Sequence, residues 1–191
     1  MASHTRQQWR IDPNKTWRLV TERLAAETDP VCQRNLELVL AHMKAEARGD
    51  IDGVLATLCP TPQYWMQGAT EDPVMNPSST EGVRAFYDKT VVTTGAHRLE
   101  FDCDRVIVDH HAVLTEGRMR QAYPGTTLAA MGIPIDDTDA YYLTDFRMAV
   151  VWPIDAKTGL LTGEEVYTVG PGFTGITDRK ITSADIAPIR D

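Results

Sequence analysis

The first half of the chain places apolar residues at helical spacing. Trp17, Val20 and Leu24 recur every three or four positions until Asp29-Pro30 interrupts the pattern. Three further segments show the same spacing, and each is bounded by proline, glycine or a capping residue. The predicted helices cover residues 12–28, 30–48, 51–58 and 80–91.

The second half changes to a period of two, which is typical of strands. Leu99, Phe101 and Cys103 alternate with acidic residues, and a turn at 109–111 leads into a second long run. The predicted strands cover residues 63–67, 97–109, 112–123, 141–152 and 160–170. Predicted loops cover 68–79 and 124–139, the latter with one helical turn at 128–131, and the tail 171–191 is predicted to be irregular and to wrap the surface or a partner subunit.

Helices followed by long antiparallel strands predict an α+β fold. The helices must cover one face of the sheet, and a strongly curved antiparallel sheet then wraps over about three of them as a cone. We expect an N-terminal helical extension at 1–30, the α+β cone domain at 31–170 and the tail at 171–191.

Composition narrows the possible partners. The 191 residues are 42% hydrophobic and 24% charged, which suits one globular core. The net charge is −8 and no basic patch is visible, so nucleic acid and anionic membrane surfaces are not expected partners. No segment approaches the roughly 18 apolar residues of a membrane span. We therefore expect a soluble, cytoplasmic protein.

The sequence shows no cofactor or metal motif. Cys32, Cys59 and Cys103 lack metal-ligand spacing and are interpreted as buried or neutral thiols. His110 and His111 fall at the predicted hairpin tip, where solvent exposure is expected. A phosphate-binding glycine loop and a serine nucleophile elbow are also absent from the sequence. Any activity is therefore expected to need no cofactor.

Four short strings point to a known family. They are Arg48-Gly49-Asp50-Ile51-Asp52, Glu81-Gly82-Val83-Arg84-Ala85-Phe86-Tyr87, Arg105-Val106-Ile107-Val108-Asp109 with the later Glu116-Gly117, and Gly163-Glu164-Glu165-Val166-Tyr167. With the order of elements, they resemble the nuclear transport factor 2-like superfamily, especially its SnoaL-like branch, over residues 31–170.

This resemblance implies a curved sheet over three helices, a hydrophobic pocket inside the cone and, commonly, a homodimer. Enzymes of this fold include ketosteroid isomerase, scytalone dehydratase, limonene epoxide hydrolase, polyketide cyclases and lyases that remove formaldehyde from lignin-derived diarylpropanes. Many other members only bind ligands, so the fold leaves the reaction open.

Two residues lead the candidates for proton transfer. Glu116 lies mid-strand among apolar neighbours, where a carboxylate acquires a raised proton affinity. The alternative is an ion pair with Arg147 on an adjacent strand. His42 lies beside the apolar face of the second helix, where it either points into the cone as a base or is held by a backbone carbonyl at the edge.

Asp145 and Arg147 are predicted to share one side of a strand. They resemble, in reversed order, part of the acidic–Arg–acidic arrangement of limonene epoxide hydrolases. Glu116, Arg118 and Arg120 share a face of the neighbouring strand. The two sets predict a charge ladder that lines either the pocket or a dimer interface.

Aromatic residues suggest a lining for a flat apolar substrate. Candidates for binding are Tyr64, Trp65, Phe86, Tyr87 and Met119, with core packing as the alternative. Tyr167 is a candidate donor to an oxyanion, or it closes the cone structurally. Arg84 is a candidate for binding a phenolate or carboxylate, or it is solvated.

These features favour a cofactor-independent lyase or isomerase acting by acid–base proton transfer on a small apolar, aromatic compound, such as a lignin-derived diaryl compound. One alternative is an epoxide hydrolase-like enzyme, in which Asp145 and Arg147 position a water. The other is a small-molecule-binding dimer without catalysis.

Overall fold

The computed structural model describes residues 9–67, 73–170 and 172–190. Residues 1–8 of the predicted extension, 68–72 of the predicted loop, and positions 171 and 191 of the tail lie outside the described residues. The helices are α1 (Arg18–Ala26), α2 (Pro30–Arg48), α3 (Ile51–Ala56), α4 (Thr80–Tyr87) and α5 (Gly125–Ala130). The predicted helices are confirmed, with ends shifted by a few residues.

Seven strands form one sheet within the described residues. They are β1 (Trp65–Met66), β2 (Leu99–Val108), β3 (Ala112–Pro124), β4 (Tyr141–Leu143), β5 (Phe146–Pro153), β6 (Glu165–Thr168) and β7 (Lys180–Ile181). Their order is β1-β6-β5-β3-β4-β7, and β2 pairs with β3. Only the short β1–β6 pair is parallel. The predicted α+β class and antiparallel sheet are confirmed.

Local chemistry explains where the two central helices begin and end. The Asp29 side chain accepts hydrogen bonds from the first amides of α2, and Gly49 ends that helix at φ 69°, a value that favours glycine. The Ser79 side chain caps α4, which continues into a π-helical turn over Asp88–Val92. This turn carries residues that later line a cavity.

The core lies between these helices and the inner face of the sheet. Side chains of α2 and α4 pack against buried residues of β2, β3 and β5, and the largest of them is Trp152. Burying each large apolar side chain stabilises the fold by about 1.5–3 kcal/mol. The indole Nε1 of Trp152 donates to Thr115 Oγ1 at 2.9 Å, so the one polar atom of this ring is satisfied.

The sheet differs from the prediction in two places. The predicted strand 141–152 is interrupted at Thr144 and Asp145 and forms two strands. The Thr144 amide donates to Gln121 O, and the Thr144 hydroxyl accepts from Gln121 N. The Asp145 amide donates to Gly172 O. β4 therefore leaves the line of β5 and pairs with β7. The predicted strand 160–170 is shortened to β6, and Leu161 forms isolated bridges to Leu58 and Ile154.

The described part of the tail contains more regular structure than expected. It contains β7 and two short 3₁₀ turns, Ile176–Arg179 and Ser183–Asp185. Ile186 bridges to Ile11, and Ile11 and Ile181 share a second small core with Leu143. The two ends of the described chain therefore pack together. In the described residues, no helix has both the length and the apolar composition of a membrane span.

Candidate active site

A cavity of about 220 Å³ lies between α2, α4 and the inner face of the sheet. Most of its wall is apolar. It includes four methionines (Met66, Met75, Met119 and Met148) and four aromatic rings (Phe86, Tyr87, Tyr123 and Phe146). Methionine side chains adapt to irregular ligand shapes, and aromatic faces suit flat ones. Two carboxyl groups, Glu46 and Glu164, interrupt this apolar surface.

Glu46 reaches the cavity from the last turns of α2. It follows Met43 by three positions and Val39 by seven, so it lies on the stripe that those residues bury. None of the described residues hydrogen-bonds its carboxyl group. Burial, together with the nearby Glu164 charge, raises the pKa of Glu46 to about 8. At neutral pH this carboxyl group is therefore protonated and can donate a hydrogen bond.

Glu164 is held differently. The Tyr87 hydroxyl donates to its Oε1 at 2.6 Å, and His42 Nε2 lies 3.1 Å from the same oxygen. Gly163 makes this position possible: its φ is 142°, and a Cβ there would lie 2.0 Å from Gln63 O. The chain can approach Gln63 so closely only with glycine, and the next side chain then points into the fold.

His42 has hydrogen-bonding neighbours at both ring nitrogens. The Thr57 hydroxyl donates to Val54 O at 2.6 Å, so its oxygen accepts from His42 Nδ1–H at 2.7 Å. The Tyr87 hydroxyl proton is directed at Glu164. His42 Nε2 lies 3.1 Å from Glu164 Oε1 and 3.2 Å from the Tyr87 hydroxyl. The ring is therefore fixed at both nitrogens beside the Glu164 carboxyl group, with the two side chains 0% and 8% exposed.

Two buried phenols complete this network. The Tyr64 and Tyr87 hydroxyls are 3.4 Å apart, and both rings are almost fully buried. Burial, reinforced by the Glu164 charge, raises the pKa of each phenol well above its usual value. Both side chains therefore stay neutral and serve as hydrogen-bond donors.

Several sequence-predicted site residues meet here. Phe86, Tyr87 and Met119 line the cavity, while His42 and Tyr64 lie directly behind its polar end. Of the two neighbouring aromatic candidates at positions 64 and 65, Tyr64 is the one that faces inward. Trp65 is 43% exposed and points away.

Glu116 is not brought to this cavity, which corrects the expectation of apolar surroundings. Its carboxylate accepts from Arg105 at 2.5 Å and from Arg147 at 2.8 Å, the ion pair given as the alternative above. Along β3, Thr115 and Met119 point inward with Gly117 between them, so the even-numbered residues point outward. The immediate neighbours Thr115 and Gly117 are buried, but they lie on the opposite face of the strand from Glu116.

Asp145 and Arg147 also lie on the outer face and do not pair with each other. Asp145 accepts two hydrogen bonds from Arg118, at 2.6 and 2.5 Å, which lower the pKa of its carboxyl group. Arg147 donates to Asp104 at 2.6 Å as well as to Glu116. The predicted charge ladder is present, but it does not line the cavity, and the expected acid–Arg pair for water activation is not formed.

The last two candidates are also peripheral. Tyr167 is 46% exposed, and its hydroxyl lies 3.5 Å from Glu165. With Glu116 and Arg147 it borders a shallow depression on the outer face. Arg84 donates to Asp52 at 2.5 Å at the surface. Neither residue contributes to the wall of the cavity.

Sequence reasoning missed both carboxyl groups of the cavity. Glu46 carried a usable signal, because a charged residue on the buried stripe of an amphipathic helix needs a reason to be there. Glu164 carried none, since Gly163-Glu164-Glu165 is equally typical of a solvated strand start. Within the described residues, one group of three metal-ligand side chains lies close together, Asp29, Cys32 and His110, and it is outside the cavity.

Comparison with known proteins identifies the fold. No protein-family model and no curated protein matches the chain. Many solved structures do. A candidate SnoaL-like polyketide cyclase from Shewanella putrefaciens CN-32 is 12% identical over 84% of this chain and 92% of its own, with a TM-score of 0.62. One from Jannaschia sp. CCS1 is 21% identical over 74% and 90%, with a TM-score of 0.55. TerC, co-crystallised with polyporic acid, is 16% identical over 76% and 98%, with a TM-score of 0.53. The chain therefore has the nuclear transport factor 2-like fold, in the form that SnoaL-like proteins adopt.

Proposed function

We propose that the protein is a cofactor-independent lyase or isomerase that transfers a proton on a small, neutral, aromatic carbonyl compound. The observation that carries this proposal is the pair of carboxyl groups in one apolar cavity. Glu46 is half-buried in the cavity wall without a described hydrogen-bond partner, and its loss of solvation raises its pKa to about 8, whereas Glu164 is held by two hydrogen-bonding groups. Two titratable groups whose environments differ in this way are suited to opposite roles in acid–base catalysis.

In this proposal Glu46 donates a hydrogen bond to the carbonyl oxygen of the substrate, where negative charge develops. Glu164 accepts a proton from the adjacent carbon, and His42 and Tyr87 hold it in place. Return of the proton to another carbon completes an isomerisation. Departure of a leaving group from the neighbouring carbon instead completes an elimination. Loss of formaldehyde uses a different proton: Glu164 takes it from the hydroxymethyl oxygen, the bond between that carbon and the carbon beside the carbonyl breaks, and the resulting enolate carbon is then protonated.

The charges around the cavity select the substrate class. No lysine or arginine is among the described residues that line it, and the Glu164 charge repels a carboxylate-bearing compound. Neutral aryl ketones and lignin-type diarylpropanes are therefore the first compounds to test. The co-crystallisation of TerC with polyporic acid supports the choice of a small organic ligand.

The test uses a panel of such compounds in deuterated water. Nuclear magnetic resonance follows deuterium incorporation, a formaldehyde assay follows the lyase reaction, and product mass reports any addition of water. Glu164→Gln should abolish exchange of the bound compound while binding persists. Saturable binding without any turnover would replace the enzyme with a ligand-binding protein, and addition of water would favour the hydrolase alternative.

The proposal includes a cytoplasmic homodimer. Ile107, Tyr167 and Val169 are exposed apolar residues on the outer face of the sheet, and they support a contact between two copies. Light scattering should give twice the 21.3 kDa chain mass. A single-chain mass at micromolar concentration would remove the dimer from the proposal.

A further inference from the structure

A second group of chemically active side chains lies at the start of α2, at the opposite end of β3 from the residues that line the cavity. Asp29 caps the helix, Cys32 lies in its first turn and His110 comes from the tip of the β2–β3 hairpin. One carboxylate oxygen, the sulfur and one ring nitrogen all lie within 4.8 Å of one another. His110 Nε2 is 3.0 Å from Asp29 Oδ2.

The ion pair between Asp29 and His110 accounts for the positions of those two side chains but not for that of the Cys32 thiol. The hydrogen bond between Asp29 and His110 satisfies those two side chains. Cys32 is only 7% exposed and is a free cysteine, and its sulfur has no hydrogen-bond partner among the described residues. It is aimed at the other two groups from the buried side.

The surrounding structure holds the three side chains in position. Asp29 Oδ1 accepts from the Val31 and Cys32 amides, which leaves Oδ2 directed at His110. The hairpin tip is fixed by Asp109, which accepts from two amides of the turn. Asn35 of α2 donates to Asp109 O at 2.9 Å and ties the tip to the helix. Such outer contacts are what orient metal ligands.

Local charge favours a cation at this position. The charges of Asp29, Glu27 and Asp109 act on the Cys32 thiol in the same sense, and Arg23, which acts in the opposite sense, is paired with Glu27 at 2.5 Å. Burial raises the pKa of the Cys32 thiol, so a bound metal has to displace its proton. The balanced step is Cys32–SH plus M²⁺ giving Cys32–S⁻–M²⁺ plus H⁺.

We propose that Asp29, Cys32 and His110 form a site for a thiophilic divalent cation of the zinc type. Carboxylate, thiolate and imidazole are the usual ligands of that ion, and the exposed side of His110 leaves room for water as a fourth ligand. The site clamps the hairpin tip to the start of α2. It takes no part in the reaction proposed above, so either proposal can fail alone.

The probe is Cd²⁺, added to protein that has been stripped with a chelator. We expect the ultraviolet charge-transfer band of one cadmium–thiolate bond, saturating at one equivalent. Cys32→Ser should abolish the band, whereas Cys59→Ser, the matched change at another buried thiol, should keep it. No band in the unmodified protein, or a band that survives in Cys32→Ser, would overturn the site.

Two surface variants keep the test decisive if Cys32→Ser fails to fold. His110→Ala should weaken Cd²⁺ binding by about tenfold or more, because it removes a direct ligand. Asp29→Asn should also weaken it while preserving the helix cap, since asparagine caps as well as aspartate. Zn²⁺ should raise the thermal midpoint of the unmodified protein and not of His110→Ala. Equal cadmium affinities in all three proteins would contradict the proposal.

Discussion

Carboxyl groups on the two sides of the central sheet differ in protonation state. On the outer face, Arg118 and Arg147 lower the pKa of Asp145 and Asp104. On the inner side, Glu46 has no described hydrogen-bond partner, and burial raises its pKa. The same chemical group is thus an ionised surface anion on one side and a protonated acid on the other. The hydrogen-bond partners of a carboxyl group and its degree of burial, rather than its residue type, decide whether it is suited to proton transfer.

The largest expected effect is on turnover. Glu164→Gln removes the proposed proton acceptor and should lower turnover by about 10²-fold or more. Glu116→Gln, the matched change on the outer face, should leave turnover within about twofold, because its partners Arg105 and Arg147 are at the surface. Steady-state kinetics on the substrate found by the panel measures both. A larger loss in Glu116→Gln would reverse the comparison and favour Glu116 as the base.

The second largest expected effect is on the pH dependence of stability, which should have opposite directions for the carboxyl groups on the two sides of the sheet. The folded pKa of Glu46, about 8, lies above its unfolded value near 4.3, so its contribution to stability is complete below that value and is lost as pH rises to about 8. The folded pKa values of Asp104 and Asp145 are lowered, so their contributions are present above pH 4 or so and are lost as pH falls.

Unfolding measured by denaturant at a series of pH values tests this directly. Glu46→Gln should remove the decline between about pH 5 and 8, and Asp145→Asn should reduce the decline at acid pH. Turnover should also fall above about pH 8, where Glu46 loses the proton it donates. Turnover that rises through pH 8 would make Glu46 the base instead of the acid.

A smaller effect is expected on stability from the buried network. Tyr87→Phe removes the hydroxyl that donates to Glu164 at 2.6 Å and leaves a buried carboxylate with one donor fewer. The free energy of unfolding should fall by about 1–3 kcal/mol, since the unmet group keeps its desolvation cost. Denaturant midpoints measure the change. A neutral result would mean that water or another group replaces the hydroxyl.

The smallest effect is expected at the outer ion pairs. Arg118→Gln breaks the contacts to Asp145, but the arginine side chain is 58% exposed. After discounting for solvent screening, the loss should be about 0–1 kcal/mol, and it should shrink further in about 1 M salt. A loss as large as that of Tyr87→Phe would show that the outer charges act as a network.

Some features of the candidate site could be predicted from local pattern. Phe86 and Tyr87 fall on the apolar stripe of α4, and His42 borders that of α2, so helical periodicity was enough to direct them inward. Glu46 lies on the same stripe and was within reach of that reasoning. Glu164 was not, because its direction depends on Gly163 passing close to Gln63, far away in sequence.

The sequence by itself determined the helix and strand periods, the capped ends of α2 and α4, and the α+β order of elements, because these depend on neighbours a few residues away. Only the tertiary structure decided which face of β3 is buried and which partner each charge receives. A strand exposes its residues alternately on two faces, so its own sequence does not say which of them the helices cover. Glu116 lies on the exposed face of β3 for that reason.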